Sequence, residues 1–296
     1  MKLLSDFDGV WTYPDAEGAA HGAALDAALL AIASEGDRAA VRTWIGEARA
    51  AIRRAPERWG WSAAGRLSAF ADEDPFTEHG ALLHYIDAHR NEPLPAQLVA
   101  AIEREGGTLD AFGGTAHVAG VGEVESRRGP GITADAAAAG RALLAAGAEI
   151  VVVSNSGTGK LARWFAHAGL PATVHPARQP GALRLRGSAQ KFVLAEGPGE
   201  AIDAGGLRVE VARPHYAAVL AEEAPDAVVG DVFSIDLALP LALKRREPAW
   251  RNVRLFWLVH PYTPERMRLA IGSLGDEVEP VEGGLPGVVD KLTAPR

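Results

Sequence analysis

Two aspartates near the amino terminus have the spacing of a reactive metal site. Asp6 and Asp8 are two positions apart and directly follow the short apolar run Leu3-Leu4, with Gly9 next in the chain. Side chains two positions apart share one face of a strand, but the strand ends here, so we expect Asp8 to bend away from Asp6 into the loop. Carboxylates this close repel each other unless one is protonated or a cation lies between them. The segment therefore predicts a Mg²⁺ site with a nucleophile and a proton donor in one loop.

Two other interpretations of this segment compete with a metal site. Aspartate and glycine favour turns, so a surface turn without chemistry is the simpler alternative. A calcium loop needs further oxygen ligands at alternate positions and a later glutamate. Val10, Trp11 and Tyr13 do not supply those ligands, so a calcium loop is disfavoured. The choice between a surface turn and a Mg²⁺ site depends on the rest of the chain.

Composition limits the classes of function. The chain has 296 residues, 48% hydrophobic and 23% charged, so it can bury a large core as one or two domains. Its net charge of −8 disfavours a nucleic-acid partner. The absence of cysteine excludes disulfides, thiolate metal sites and cysteine nucleophiles. No apolar run approaches the ~18 residues of a membrane span, and the amino terminus lacks a signal-peptide pattern, so we expect a cytoplasmic protein without a membrane partner.

Strands and helices alternate in much of the chain, a pattern that is typical of a parallel sheet. The β-branched runs at 149–153 and 227–229 predict strands that are buried on both faces. Residues 183–194 and 207–211 also alternate in a strand-like way, and a hairpin is predicted around 197–206. Helices between the strands imply βαβ units. The predicted fold class is therefore α/β, with a Rossmann-like parallel sheet.

A long helical segment separates the first strand from the others. Apolar residues recur at helical spacing from 15 to 107, without an evident strand alternation. The glycine-rich residues 108–131 predict a loop or hinge that leads the chain back. We therefore predict a Rossmann-like core of residues 1–13 and 114–296, interrupted by an all-helical domain of residues 14–113.

Polar residues follow the predicted strands at the point where each strand ends. Ligands of α/β sheets bind outside the carboxyl ends of the strands, so we expect these residues to converge on one rim. The residues selected by this rule, together with one arginine at a helix start, are Asp6, Asp8, Ser154, Asn155, Ser156, Arg213, Asp231 and Asp236. A metal held by carboxylates, a guanidinium, and amides at a helix start together bind and transfer a phosphoryl group.

These motifs resemble those of the haloacid dehalogenase superfamily of aspartate-nucleophile phosphohydrolases. Asp6-Phe-Asp8-Gly9-Val10 resembles the first motif of that family, Val153-Ser154-Asn155 the second, and Gly230-Asp231-x-x-x-x-Asp236 the fourth. Their order and spacing agree with the family, and the resemblance spans nearly the whole chain. The helical insertion between the first and second motifs resembles the cap domain that the superfamily carries there.

The third motif departs from the family pattern. The family usually has a lysine before the helix that precedes the last acidic motif, but Arg213-Pro214 stands there, eighteen positions before Asp231. Arginine supplies the charge without the compact geometry of lysine. Lys191, in the strand-like segment 190–192, is the rival candidate. The sequence favours Arg213 over Lys191 for this cation.

The resemblance implies a role for each acidic residue. Asp6 would attack phosphorus and become an aspartyl-phosphate, and Asp8 would protonate the leaving oxygen and then activate water. Mg²⁺ would be held by a carboxylate oxygen of Asp6, the backbone carbonyl of Asp8 and the carboxylate of Asp231. Asp236 would be a supporting or alternative metal group.

The resemblance also implies how phosphate is held. Ser154 and the amide of Asn155 would bind phosphate oxygens, with the cation supplied by Arg213 or Lys191. A side-chain cap of the following helix is the alternative role of Ser154. The nearby Gly157-Thr-Gly-Lys160 is not a P-loop, because leucine follows the lysine where serine or threonine is required.

The resulting prediction is a Mg²⁺-dependent phosphatase that acts on a small phosphorylated metabolite. A phosphotransferase or phosphomutase on the same scaffold is one alternative. A catalytically inactive binding protein is another, and the missing lysine of the third motif is its support. The intact Asp6, Asp8 and Asp231 argue against an inactive protein, because an idle site gains nothing from three clustered carboxylates.

Overall fold

The computed structural model of the chain describes residues 1–63 and 65–293. The strands, in chain order, are β1 (Lys2–Ser5), β2 (Gly60–Ala63), β3 (Arg66–Phe70), β4 (Glu149–Val153), β5 (Ala172–Val174), β6 (Leu183–Arg186), β7 (Ala201–Ala204), β8 (Leu207–Glu210), β9 (Ala227–Gly230), β10 (Arg254–Leu258) and β11 (Glu279–Val281). The α-helices are α1 (Asp15–Ile32), α2 (Arg38–Arg54), α3 (Thr77–Ala88), α4 (Pro93–Arg104), α5 (Leu109–Arg128), α6 (Ala134–Ala145), α7 (Thr158–His167), α8 (Pro214–Glu223), α9 (Ala238–Arg246), α10 (Glu265–Gly272) and α11 (Gly284–Thr293). A π-helical turn at Phe233–Leu237 precedes α9, and 3₁₀ helices lie at Pro56–Arg58, Pro248–Trp250 and Gly275–Glu277. In this described part of the chain, no helix has both the length and the apolar character of a bilayer-spanning segment.

A seven-stranded sheet forms the centre of the first of two compact units. This unit comprises Met1–Tyr13 and the chain from Pro130 onward. The strand order is β11-β10-β9-β1-β4-β6-β5, and neighbouring strands run parallel. In the middle of the sheet, Leu3 of β1 lies opposite Ile150 on one side and Ala227 on the other. The sheet packs in one hydrophobic cluster with α6, α7 and α11, so the predicted α/β class with a parallel sheet is confirmed.

The predicted strand over 183–194 is shorter in the structure. The strand β6 ends at Arg186, and a loop then carries Lys191. A Cβ on Gly187 would lie 2.4 Å from the backbone nitrogen of Thr158, so the loop passes closely over the start of α7. Ser188 and Gln190 then adopt positive φ angles of 55° and 51°, which an extended strand does not allow. The predicted hairpin around 197–206 would join 183–194 to 207–211, but in the structure β8 pairs with β7 around Gly205-Gly206, outside the central sheet, whereas β6 belongs to the parallel sheet.

The second compact unit, Pro14–Gly129, is mainly helical. Apolar residues at helical spacing, such as Leu25, Leu29 and Val41, form its core. It also contains an antiparallel hairpin of β2 and β3, which the sequence does not predict because the two strands have four and five residues. A Cβ on Gly80 would lie 1.7 Å from the indole of Trp61, so this glycine lets the hairpin pack against α3.

The glycine-rich segment 108–131 is largely a helix rather than the predicted loop. It forms α5, which has 20 residues, so the chain leaves the second unit after Gly129 and not at residue 113. Its glycines allow close packing: a Cβ on Gly113 would lie 2.3 Å from Leu83, and one on Gly120 would lie 2.6 Å from the backbone of Ala20. Glycine content alone predicts a loop, but here it reflects helices that approach each other closely.

A buried ion-pair network holds β6 against α8 in the first unit. Arg184 is 3% exposed and donates to both carboxylate oxygens of the fully buried Glu223, at 2.7 and 2.5 Å. Arg186 donates to the same carboxylate at 2.6 Å. These bonds fix the strand that leads into the Lys191 loop.

We expect the Glu223→Ala variant to lose about 3–5 kcal/mol of unfolding free energy, because two guanidinium groups then lose their buried partner. The matched control is Glu222→Ala, whose side chain is 47% exposed and bonds Arg186 at 2.9 Å. An exposed pair of this kind contributes about 0–1 kcal/mol. Urea unfolding of both variants tests the prediction, and equal losses would contradict it.

Candidate functional site

Five adjacent strands of the central sheet, β10-β9-β1-β4-β6, end on one rim. Polar side chains follow each of these strands in the chain: Asp6 and Asp8 after β1, Ser154 and Asn155 after β4, Lys191 after β6, Asp231 and Asp236 after β9, and Tyr262 after β10. Parallel strands bring their carboxyl ends to the same edge, which is where α/β sheets bind ligands. The rim therefore concentrates four carboxylates, a lysine and several hydroxyl groups in one unit of the protein.

The loop after β1 is fixed by buried aromatic residues. The amide of Asp6 donates to the carbonyl of Val229 at 2.9 Å, which continues the sheet ladder by one residue. The amide of Trp11 then donates to the carbonyl of Phe7 at 2.9 Å and closes a turn. Phe7 and Trp11 are fully buried, and the Trp11 indole donates to the Ser5 hydroxyl at 2.9 Å. Asp6 and Asp8 are thereby held on a rigid turn.

The two carboxylates of this turn have different partners. Asp6 accepts a hydrogen bond from the ammonium of Lys191 at 2.6 Å. Asp8 accepts one from the hydroxyl of Ser156 at 2.9 Å, and the ammonium of Lys160 lies 3.5 Å from its other oxygen. The environment of Asp6 is therefore buried and cationic, whereas Asp8 lies beside the start of α7.

Lys191 is the cation at the centre of the site. Its side chain is 2% exposed and donates to Asp236 at 2.5 Å as well as to Asp6. Its backbone amide donates to the side-chain oxygen of Asn155 at 2.8 Å, and its carbonyl accepts from the Arg213 guanidinium at 2.8 Å. Both backbone groups of the lysine are thus held by side chains from other loops.

In this geometry Lys191, and not the favoured Arg213, is the cation that contacts Asp6. The sequence favours Arg213, but the guanidinium of Arg213 is buried and binds the backbone of Lys191. The physical reason lies in the topology: β6, which precedes Lys191, is a neighbour of β4 in the central sheet. The strand before Arg213 is β8, which belongs to the separate hairpin. A lysine at the end of a sheet strand reaches the rim directly.

Ser154 and Asn155 take part in local structure. Ser154 is 1% exposed, and its hydroxyl accepts from the amide of Ser156 at 2.9 Å, two residues along the chain. That bond closes a local turn before α7; it is not the side-chain cap of the helix considered as an alternative, because Gly157 is the N-cap residue of α7. Asn155 uses its side-chain oxygen to hold the Lys191 loop. Neither contact prevents the backbone amides at this helix start from binding an anion.

Three carboxylates lie close enough together to hold a metal ion. Oxygen atoms of Asp6, Asp231 and Asp236 all lie within 4.8 Å of one another. An all-oxygen set of this kind suits a hard divalent cation such as Mg²⁺. The carboxylate of Asp8 is outside this group, in line with an expected contribution through its backbone carbonyl alone. The donor set therefore fits the metal that the sequence resemblance implies.

Glycine is required where the loop after β1 passes the group of three carboxylates. Gly9 has a φ of +77°, and a Cβ there would lie 2.1 Å from Oδ2 of Asp231. Similarly, a Cβ on Gly230 would lie 2.3 Å from the Cβ of Asp236. Both glycines follow from the close approach of the acidic side chains, so they belong to the construction of the site.

The charges of the site are out of balance without a further cation or proton. Burial is the main cause that raises the pKa of Asp6 to about 8, and the negative charge of Asp236 adds to it. Burial acts to lower the pKa of Lys191, but the carboxylates of Asp236 and Asp6 outweigh it, so this pKa is raised. The Lys191 ammonium contacts two of the three carboxylates, Asp6 and Asp236, and a divalent cation or a proton on Asp6 compensates the remaining excess of negative charge.

Sequence reasoning missed two residues of this rim. Lys160 lies beside Asp8 and 4.5 Å from the centre of the Trp164 ring, and it was considered only within a rejected P-loop. Tyr262 donates from its hydroxyl to Oδ2 of Asp231 at 2.7 Å. The rule of strand ends could have found it, since it follows β10 directly.

Comparisons with known proteins give a likeness in structure alone. No protein-family model matches the chain, and no curated protein is similar to it in sequence. Among solved structures, the chain is similar to magnesium-bound YfnB of Bacillus subtilis, which is described as a candidate HAD-hydrolase. The two share 11% identity over 92% of this chain and 98% of that chain, with a TM-score of 0.37. The function is therefore inferred from the geometry of the site.

The raised pKa of Asp6 predicts how stability depends on pH. The folded protein holds the proton of Asp6 more tightly than the unfolded chain does, so this contribution is present below the ordinary carboxyl pKa and is lost as pH rises towards about 8. In excess EDTA, Asp6→Asn should exceed the wild type in unfolding free energy by about 1–3 kcal/mol at pH 8 and by little at pH 4. Urea unfolding at both pH values measures this difference.

The control is Asp290→Asn, at an exposed position on α11, which should not change the pH dependence. A gain for Asp6→Asn that is equal at the two pH values would contradict the prediction.

Proposed function

We propose that this chain is a Mg²⁺-dependent phosphohydrolase of the haloacid dehalogenase type, which acts on a small phosphorylated metabolite through an aspartyl-phosphate. One observation carries the proposal. A buried lysine binds Asp6 at 2.6 Å, and Asp6 belongs to a group of three carboxylates that can hold a metal. A nucleophilic carboxylate needs such cations, because it must approach an anionic phosphate.

In the first half of the reaction, a carboxylate oxygen of Asp6 attacks phosphorus. The new bond joins Asp6 to phosphorus, and the bond from phosphorus to the leaving oxygen breaks. Asp8 donates its proton to that leaving oxygen. Ser156 and Lys160 hold the Asp8 carboxylate beside the start of α7, so its position does not depend on the substrate.

In the second half, Asp8 acts as a base. It takes a proton from a water molecule, whose oxygen attacks phosphorus and releases Asp6 as a carboxylate. The proton that Asp8 lost to the leaving group is thereby restored. Lys191 holds Asp6 in both halves of the cycle, since its ammonium also has Asp236 as a fixed partner.

A bound Mg²⁺ would supply charge neutralisation between the nucleophile and the phosphate. The carboxylates of Asp6 and Asp231 would hold it, with the Asp8 carbonyl, and Asp236 would support it through the shared lysine. We assign phosphate binding to Lys191, to the hydroxyl of Ser154 and to the amide of Asn155, and we assign Arg213 the task of holding the lysine loop.

The inserted unit Pro14–Gly129 is proposed to act as a cap that selects the substrate. The support is its place in the chain, since it begins directly after the loop that carries Asp6 and Asp8. An insertion at this point can change its sequence without altering the strand ends that carry the chemistry.

Two other functions are compatible with the same scaffold. A phosphotransferase or phosphomutase would pass the phosphoryl group from Asp6 to an acceptor hydroxyl instead of water. A binding protein without catalysis would retain the metal site and form no covalent intermediate. The fate of the phosphoryl group separates the three functions.

We expect the Asp6→Asn variant to lose all turnover of p-nitrophenyl phosphate. The Asp8→Asn variant should instead accumulate a covalent phosphoenzyme, because the first step on this activated ester needs no strong acid whereas water still needs a base. Acid quenching with radiolabelled substrate detects the adduct.

Wild-type activity in the Asp6→Asn variant would exclude the proposed mechanism. Full activity of the wild type in excess EDTA would exclude the proposed role of the metal. Transfer of the phosphoryl group to an acceptor without release of free phosphate would indicate a transferase. No turnover at micromolar enzyme concentration would indicate a binding protein.

The two basic residues should differ in their effect on catalysis. Lys191→Gln removes the charge that contacts Asp6, so we expect kcat to fall by about 10²–10³-fold. Arg213→Lys keeps a charged donor next to the Lys191 carbonyl and should cost less than about 10-fold. Steady-state kinetics at saturating Mg²⁺ measure both variants, with urea unfolding to check their stability. The opposite ranking would restore Arg213 as the phosphate-binding cation.

A further inference from the structure

Tyr262 contacts Asp231, one of the three carboxylates that can hold a metal ion. It lies after a strand whose end the proposed mechanism does not use. Its hydroxyl donates to Oδ2 of Asp231 at 2.7 Å. The backbone of Asp231 is held at the same time, because the Trp257 indole donates to its carbonyl at 2.8 Å. Trp257 lies in β10, and Tyr262 lies in the loop that follows it. One neighbouring strand thus holds both the backbone and the carboxylate of Asp231.

The loop that carries Tyr262 is built to be rigid. The His260 amide donates to the Thr263 hydroxyl at 2.9 Å, and the Thr263 amide donates back to the His260 carbonyl at 3.0 Å. Arg268 of α10 also donates to that carbonyl, at 2.7 Å. The Tyr262 ring stacks on the His260 imidazole at 4.8 Å with an interplanar angle of 16°. The phenol is therefore fixed before any ligand arrives.

A fixed phenol determines how Asp231 presents its carboxylate. A carboxylate rotates about its bond to Cβ unless hydrogen bonds hold it, and a hydrogen bond from a hydroxyl to an ionised oxygen is among the stronger kinds. Removal of a partner that orients a metal-binding side chain costs about 10–100-fold in metal affinity or activity. Tyr262 has the geometry of such a partner, since its hydroxyl reaches the carboxylate of Asp231 from the loop after the neighbouring strand β10.

We propose that Tyr262 is a positioning residue for the metal: its hydroxyl holds Asp231 in the orientation in which Asp231 and Asp6 together bind a divalent cation. This inference rests on the proposed function for the identity of the metal as Mg²⁺. Tyr262 takes no part in bond making, so its removal weakens metal binding and leaves the metal-saturated reaction nearly intact.

The test is the Tyr262→Phe variant of the full chain, stripped of metal and titrated with Mg²⁺ alone by calorimetry. We expect the Kd for Mg²⁺ to rise by about 10–100-fold. Titration with Mn²⁺, followed by electron paramagnetic resonance, gives a second readout that does not depend on catalysis. The Mg²⁺ concentration for half-maximal activity should rise in parallel, while kcat at saturating Mg²⁺ stays within about threefold of the wild type.

The chain offers a matched control in Tyr13→Phe. This substitution also removes one phenolic hydroxyl, from a side chain that is 66% exposed and contacts the same His260 ring at 6.5 Å. The Tyr13→Phe variant should bind Mg²⁺ as the wild type does. Equal metal affinity in Tyr262→Phe and wild type would overturn the inference, and so would a wild type that binds no divalent cation. A wild type that shows the expected metal binding but hydrolyses no phosphate ester would overturn the proposed function and leave this inference standing.

Discussion

The ammonium of Lys191, held between Asp6 and Asp236, is the interaction on which the rest of the site depends. It joins the loops after β1, β6 and β9 through two bonds of 2.6 and 2.5 Å. Because the lysine is buried, loss of either carboxylate partner would leave buried charge uncompensated, at a large cost in free energy. The loop around it is therefore fixed from several sides, by Asn155 on its amide and by Arg213 on its carbonyl. The buried Arg184–Glu223 pair anchors the strand that leads into it.

A single ammonium does not neutralise the carboxylates that surround it. Three acidic groups within 4.8 Å of one another raise the free energy of the folded protein when all are ionised. Burial is the main cause that raises the pKa of Asp6, and the negative charges of Asp236 and Asp8 raise it further. The same imbalance favours a divalent cation, since metal binding relieves a repulsion that folding has already imposed. Under the proposed function, stability and metal affinity are thus two consequences of one charge arrangement.

The sequence predicts much of this arrangement because apolar runs mark where strands end. Asp6, Asp231 and Asp236 follow such runs, and the structure brings them together. The lysine loop could not be predicted in this way, because its course depends on two non-glycine residues with positive φ, which no hydrophobic pattern indicates. The loop predicted for segment 108–131 was wrong because its glycines allow close packing of the helix α5 and do not form a turn. Local composition reports which conformations are allowed, whereas tertiary contacts decide which one is used.

The position of the cation in space is constrained more strictly than its position in the chain. Under the proposed function, a phosphoryl group bound near Asp6 needs a positive charge close by, and a loop after any neighbouring strand can supply it. Here β8, the strand before Arg213, lies outside the central sheet. The guanidinium of Arg213 donates to the backbone carbonyl of Lys191 and so holds the Lys191 loop. The strand order brings β6 beside β4, and its loop delivers a lysine instead. The absence of a lysine at the position of Arg213 therefore does not count against the proposed function, because Lys191 brings an ammonium to Asp6 from another strand end.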